Sequence, residues 1–307
     1  MLQPILVTGP HRSGTTWIGQ ILATDPSTAY VHEPFSLLCR PGIFRHRVPH
    51  WYFHVPAGSE PNGIGAAYAD TLRFRYSYGA ELRALRTPRD AARMIRDVFR
   101  VNAARLGDRR PLIKDPLALF SAEWIARTFG SAILVTSRHP VAFVSSLLRL
   151  GWRFDFANLE QQPELMDTLL AEVHEDIECG RRLGANDHLV EAAYLWKILH
   201  HVIARYRETK PEWVFVRYKD LAADPLARFQ EIFTRLGLTF SDHTRRRIEW
   251  LSGDDNPEDR PASAAVTRVA SSAYAAKARQ RLAESERERV RAIVEPVSSL
   301  FYADHEW

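Results

Sequence analysis

A chain of 307 residues with 46% apolar and 25% charged side chains has the makeup of a soluble globular protein with a sizeable core; it is long for one domain but ordinary for an α/β fold with insertions. The formal charge of +4 is only mildly basic, suiting a small anionic ligand without demanding nucleic acid, and no apolar run reaches the roughly 18 residues of a membrane-crossing helix. The start of the chain has no basic n-region or cleavage site, and Cys39 and Cys179 form neither a metal-ligand pattern nor a disulfide framework. The expectation is therefore a cytoplasmic protein with reduced thiols and no signal peptide.

Ile5 to Val7 reads as a buried strand, followed by a loop containing Gly9, Pro10 and Gly14 and then Trp17 to Ala23, apolar at helical spacing. A strand, a Gly-rich loop and a helix start together make a phosphate cradle, because loop N–H groups converge and the helix adds its positive end. Gly9 and Gly14 are five apart, as in a nucleoside-triphosphatase loop, and Thr15 and Thr16 offer hydroxyls. That loop carries Lys directly after its second glycine. Here the position is Thr15, and the cation is Arg12, before Ser13. Arg12-Ser13-Gly14-Thr15-Thr16-Trp17 resembles the 5′-phosphosulfate loop of sulfotransferases that use 3′-phosphoadenosine 5′-phosphosulfate (PAPS). Such a donor has no γ-phosphate and requires no Mg²⁺, so lysine and metal are dispensable. The resemblance implies cofactor contacts from Arg12, Ser13, Gly14, Thr15 and Thr16, with Trp17 at the position that stacks on adenine in cytosolic members. The alternatives are a ligand-free turn for the loop and helix-to-sheet packing for Trp17.

Thr28 to His32 reads as a strand ending in His32-Glu33-Pro34, and ligands of parallel α/β sheets sit at strand carboxyl ends. A sulfuryl acceptor hydroxyl must lose its proton, so a positioned carboxylate or imidazole is needed. Glu33 resembles the catalytic Glu of carbohydrate-type sulfotransferases; a loop salt bridge is its alternative, and His32 remains open as the base. Residues 36–110 read as an aromatic, Pro-rich insertion with an amphipathic helix from Arg89 to Leu106, either an acceptor-binding lid or a structural subdomain. Pro111 to Lys114 is a further strand. In the family resemblance Lys114 reaches the 5′-phosphate and bridging oxygen. Pro116 stands where cytosolic members carry a catalytic His, which strengthens Glu33.

Ile133 to Val135 is a buried strand leading to Arg138-His139-Pro140, with Pro140 suited to a first helical turn. Arg138 and Ser146, eight residues on, resemble the family's 3′-phosphate site, with Ser145 the neighbouring alternative; Arg grips phosphate bidentately and Ser adds a hydroxyl. An aromatic loop, Trp152 to Phe156, is a candidate for acceptor contact. Residues 164–183 and 189–207 read as helices, with Trp196 in the core. Trp213 to Arg217 is the last strand, and Asp224-Pro225 reads as an N-cap and N1 pair. A late loop at about 252–280 carries Arg268, Lys277 and Arg279, either cofactor-covering or a solvated helix face.

The expected fold is α/β: a P-loop-like three-layer domain over 1–307 with a mainly parallel central sheet of about five strands (4–8, 28–32, 111–114, 132–137 and 213–217) flanked by helices. The expected chemistry is sulfuryl transfer from PAPS to a hydroxyl of a carbohydrate, lipid or small-molecule acceptor, leaving 3′-phosphoadenosine 5′-phosphate (PAP). Glu33 acts as base, Arg12 and Lys114 stabilise charge, and no metal is required. A P-loop kinase and a non-catalytic nucleotide-binding module are the rival classes; no nucleic-acid-binding motif appears. Acceptor identity and oligomeric state are not readable from the sequence.

Overall fold

The computed structural model describes residues 2–59, 63–253, 255–257 and 269–307. Five strands, β1 (Ile5–Thr8), β2 (Thr28–His32), β3 (Arg110–Lys114), β4 (Ala132–Ser137) and β5 (Val214–Arg217), form one sheet in the order β2-β3-β1-β4-β5. Every pairing is parallel. The expected strands all form, within a residue of the expected ends. Parallel sheets of this kind bury both faces, which is why β1 and β4 are apolar runs rather than alternating ones.

Strand alternation divides the core in two. Ile5, Val7, Leu112, Leu134 and Val214 turn to one face, where α1 (Thr15–Leu22), α11 (Tyr218–Ala223), α12 (Pro225–Arg235) and α13 (Asp242–Ser252) cover them. Leu6, Val31, Ile113, Ile133 and Val135 turn to the other face. There they meet α5 (Ala122–Phe129), α6 (Pro140–Leu150), α10 (His188–Thr209) and the C-terminal α15 (Glu284–Val294). The result is three layers, helix on sheet on helix. The Asp224–Pro225 pair does start α12: the Asp224 carboxylate accepts from the Ala227 N–H at 3.2 Å with Pro225 at N1.

Between β2 and β3 lie α2 (Ile64–Leu72), α3 (Tyr78–Ala84) and α4 (Pro88–Leu106). Most aromatic residues of this stretch are structural. Phe35, Phe44, Tyr52 and Tyr68 are buried in the second core, with Phe35 and Phe44 rings stacked at 5.9 Å. Between α6 and α10 the structure departs from expectation: after a short α7 (Ala157–Glu160), the helix expected over 164–183 is divided into α8 (Pro163–Asp167) and α9 (His174–Gly184). The break falls around Thr168–Leu170, where the Leu170 N–H turns back to the Leu165 carbonyl. α14 (Ser271–Gln280) precedes α15, so the stretch expected as a late loop is helical from Ser271.

Candidate active site

β1 and β4 are neighbours whose following helices leave on opposite faces, α1 on one and α6 on the other. Ligands of open α/β sheets bind at such switch points, outside the strand carboxyl ends. The β1–α1 loop occupies this one and turns too tightly for side chains at its two glycines. Gly9 has φ 135°, and a Cβ there would lie 2.5 Å from the Thr136 carbonyl oxygen. Gly14 has φ 93° and caps α1 in the left-handed conformation; a Cβ there would meet the Tyr218 ring at 2.6 Å. Only glycine tolerates both constraints. Gly14 brings the first-turn N–H groups of α1, which have no intrahelical acceptors, to the mouth of the loop beside the positive helix end.

Arg12, itself at φ 67°, lies between two predicted partners. Its Nε donates to the Ser146 hydroxyl at 3.3 Å, and Arg138 Nη1 donates to its carbonyl at 2.6 Å. Arg138 is buried at the end of β4 with its guanidinium 5.3 Å from the Tyr218 ring centroid, and its own carbonyl accepts from the core indole of Trp196 at 2.7 Å. Thus residues from β1, β4 and α6, more than 120 positions apart in sequence, form one cationic cluster. Two guanidinium groups and a hydroxyl around a helix N-terminus are donors of the kind that can hold a polyanion.

One strand over, β3 carries Lys114 in register with Val7 of β1 and His32 of β2. Its side chain is 1% exposed and its ammonium is ion-paired with the Glu33 carboxylate. Glu33 leaves β2 at φ 46°, its N–H held by the Lys114 carbonyl at 2.8 Å. His32 Nε2 stands 3.8 Å from the other Glu33 oxygen, but the ring is largely exposed and bonded to the Tyr30 hydroxyl at 3.2 Å. Beneath them lies Asp115, which the motifs do not single out. It is fully buried, and its carboxylate accepts from the Phe35 N–H at 2.6 Å and the Leu117 N–H at 3.0 Å. Burial first, and then the neighbouring Glu33 charge, push its pKa up to about 7. Its place directly after a strand lysine was the available signal. It fixes the chain turns after β2 and β3 that aim Glu33 and Lys114.

His11 is the second site residue that sequence reasoning missed. The Tyr52 hydroxyl accepts from the His11 backbone N–H at 3.1 Å and lies 2.6 Å from His11 Nδ1. Burial raises the phenol pKa, so the hydroxyl keeps its proton and can donate it to Nδ1. That pairing would put the imidazole proton on Nε2. Phe143 and Trp152 close around the ring at 5.3 and 6.3 Å, and the Arg12 guanidinium lies 5.4 Å from the Trp152 ring centroid. Desolvation and then the Arg12 charge push the His11 pKa down to about 3. A depressed histidine contributes stability that is present above its ordinary pKa near 6.5 and is lost as pH falls toward 3. His11 should accordingly show an Nε2–H tautomer and no titration between about pH 5 and 8 by imidazole NMR. A midpoint near 6.5 would overturn this placement.

Two of the residues expected at the cofactor are packed within the protein. The Ser13 side chain is fully buried, its hydroxyl bonding the Pro10 carbonyl and Thr136 Oγ1 while its N–H returns to Pro10. Ser13 therefore braces the loop, with its hydroxyl and N–H both bonded within the protein. Trp17 is 2% exposed, with Tyr218 at 5.9 Å and Phe229 at 5.3 Å edge-on, which is the helix-packing alternative rather than an open adenine platform. Arg12, Gly14, Thr15, Thr16, Arg138 and Ser146 gather at the loop, and Ser146, not Ser145, meets Arg12. Lys277 is exposed; Arg268 and the Arg279 side chain lie outside the described residues. Among the described residues, no group of three or more His, Cys, Asp or Glu side chains is placed to hold a metal ion, and no helix is long and apolar enough to cross a membrane.

The family model described as "Sulfotransferase family" matches residues 4–242, from β1 into α13, and the chain belongs to that family. The resemblance first seen in the loop thus extends over most of the chain. No curated protein sequence matches. Similar solved structures include the sulfotransferase domain from the curacin biosynthetic pathway, 13% identical with a TM-score of 0.47, covering 95% of this chain and 97% of that one. The sulfotransferase domain of the Synechococcus PCC 7002 olefin synthase is 15% identical, with a TM-score of 0.48 and coverage of 98% and 94%. A sulfotransferase from Alicyclobacillus acidocaldarius is 16% identical, with a TM-score of 0.42 and coverage of 98% and 94%.

Proposed function

We propose that this protein transfers the sulfuryl group of PAPS to a hydroxyl of a small-molecule, lipid or carbohydrate acceptor and releases PAP. The observation that carries the reading is the joining of Arg12, Arg138 and Ser146 at the loop, beside the strand that bears the Lys114–Glu33 pair. This donor set fits a ligand with separate 5′ and 3′ anionic groups. Arg12, Lys114 and the N–H groups of Gly14, Thr15 and Thr16 hold the 5′-phosphosulfate in the P-loop-like cradle, with the Thr15 and Thr16 hydroxyls available beside them. Arg138 and Ser146 hold the 3′-phosphate that distinguishes PAPS from ATP. When bound, PAPS supplies the electrophilic sulfur.

Glu33 takes the proton of the acceptor hydroxyl as its oxygen attacks. Lys114 and Arg12 oppose the charge that collects on the leaving 5′-phosphate, a task for preorganised cations that calls on no metal. Glu33 balances the Lys114 ammonium; an arriving anion shares that ammonium and releases the carboxylate toward the acceptor. A cavity of about 490 Å³ opens on Glu33 and His32, lined further by Leu38, Ile43 and Val101, and is the proposed acceptor site. The free thiols of Cys39 and Cys179 favour a reducing, cytoplasmic setting.

Calorimetric titration with PAP, with ATP·Mg²⁺ in parallel, tests the reading. PAP is expected to bind and ATP to bind far more weakly. ATP binding without PAP binding would return the site to the P-loop kinases.

A further inference from the structure

The helix α4 carries an apolar stripe on its outer side as well as apolar residues on its inner one. It is well started: Thr87 Oγ1 accepts from the Asp90 N–H at 3.2 Å, the Asp90 carboxylate accepts from the Thr87 N–H at 3.0 Å, and Pro88 stands at N1. Yet of its 19 residues only Asp97 and Ala104 are buried. Three of its large apolar residues point away from the protein, with Ile95 59%, Phe99 72% and Leu106 88% exposed, whereas Met94, Val98 and Val101 are half-buried on its inner side. At about 100° per residue these three fall within about 40° of one another, so they form a single stripe. Tyr78 of α3, which accepts from Asn102 of α4 at 3.4 Å, and Leu82 extend the exposed apolar area. A helix that packs one apolar side on its own protein and leaves a second apolar stripe uncovered offers that stripe to another surface.

The charges beside the stripe identify that surface. Arg89, Arg93, Arg96 and Arg100 are all exposed and fall along one flank of α4. The only acidic residues of the helix are Asp90, engaged with the cap, and Asp97, which is buried beside Arg96. An apolar stripe edged by an arginine row is the pattern of a helix lying in the plane of an anionic bilayer interface. A second copy of the chain fits less well, because antiparallel twofold pairing of this face sets the arginine row against itself. We propose that α4 docks the protein on anionic lipid surfaces, with Ile95, Phe99 and Leu106 entering the headgroup boundary and Arg89 and Arg93 meeting lipid phosphates. The same flank contributes Arg96 and Arg100, and the inner side Val101, to the cavity at Glu33, which leaves Arg89 and Arg93 for the lipid phosphates. Docking therefore makes one wall of that cavity part of a lipid-bound helix, near amphiphilic hydroxyl acceptors. This last step rests on the acceptor site proposed above; the docking does not.

Co-sedimentation of the full chain with vesicles of phosphatidylcholine alone, and of phosphatidylcholine mixed with phosphatidylglycerol, decides the matter. The protein should partition onto the anionic vesicles only and be released by salt. Ile95→Ser/Phe99→Ser and, separately, Arg89→Gln/Arg93→Gln should each weaken partitioning roughly tenfold or more, with the circular dichroism spectrum and PAP binding unchanged. Failure of the wild-type chain to bind anionic vesicles at low salt would overturn the proposal. So would binding that survives both double substitutions, or a dimer in sedimentation equilibrium that Ile95→Ser/Phe99→Ser dissociates. None of these results bears on sulfuryl transfer, which the PAP titration tests by itself.

Discussion

Glu33→Gln is expected to lower sulfuryl-transfer turnover by roughly a hundred- to ten-thousandfold, the range for loss of a positioned general base, while PAP affinity stays close to wild type. Gln is the informative substitution because its amide oxygen can still accept from the Lys114 ammonium, which is almost wholly buried and bonded to Glu33. Glu33→Ala would instead strand that ammonium without a counter-ion and mix a stability loss into the measurement. The single-turnover rate should fall with the acceptor KM little changed, since the proton is taken only as the new bond forms. His32→Asn supplies the contrast. The His32 ring is largely exposed and held by Tyr30, so its loss should change turnover only a few-fold. Unimpaired turnover in Glu33→Gln, together with a large loss in His32→Asn, would transfer the role of base to the histidine. Asp115 provides a second readout in the same variant. Its pKa is raised by burial and next by the Glu33 charge; neutralising Glu33 should lower it, as carboxyl-carbon NMR would record. The sign for stability follows: an acid raised to about 7 favours the fold at low pH and withdraws that support as pH rises from about 4 to 7.

The sheet was legible because each strand is a short run with a local reason to be one. Ile5 to Val7 and Ile133 to Val135 are apolar on both faces, as fully covered parallel strands must be, and each stops at a glycine loop or an Arg-His-Pro turn. The loop glycines were readable for the same reason: the contacts at Gly9 and Gly14 exclude side chains, so their spacing has a steric cause. Tertiary pairings were a different matter. That Ser13 turns inward to Thr136, or that Tyr52 crosses from the 36–110 segment to His11, depends on register between distant elements. A residue pattern does not encode such register. Trp17 shows the limit of a motif: the resemblance placed it at an adenine contact, whereas Tyr218 and Phe229, about 200 positions away, enclose it. The periodicity of α4 was read correctly as amphipathic. The side to which its stripe turns was not in the periodicity at all, since the spacing of apolar residues is the same whether the protein or another surface lies against them.

Arg138→Ala is expected to weaken PAP binding by roughly 2–5 kcal/mol, between about thirtyfold and about four-thousandfold, the range for truncating one partner of a buried charge-assisted contact. The guanidinium has two separable tasks. One nitrogen, Nη1, supports the Arg12 carbonyl at 2.6 Å and so holds the loop in its strained turn; the group as a whole, lying over Tyr218, presents charge to a 3′-phosphate. Loss of the first weakens every ligand of the loop, whereas loss of the second weakens only ligands that carry a 3′-phosphate. Comparing PAP with adenosine 5′-monophosphate separates them. Wild type should prefer PAP strongly, and Arg138→Ala should erase most of that preference. Arg138→Lys keeps the charge but not the planar fork, so it should restore only part of it. Ser146→Ala removes one neutral hydroxyl and should cost about 0.5–1.5 kcal/mol, a few-fold in affinity. If Arg138→Ala weakened both nucleotides equally, Arg138 would be a brace for Arg12 and nothing more. The 3′-phosphate would then need another partner, and the separation of PAPS from ATP would no longer rest on the end of β4.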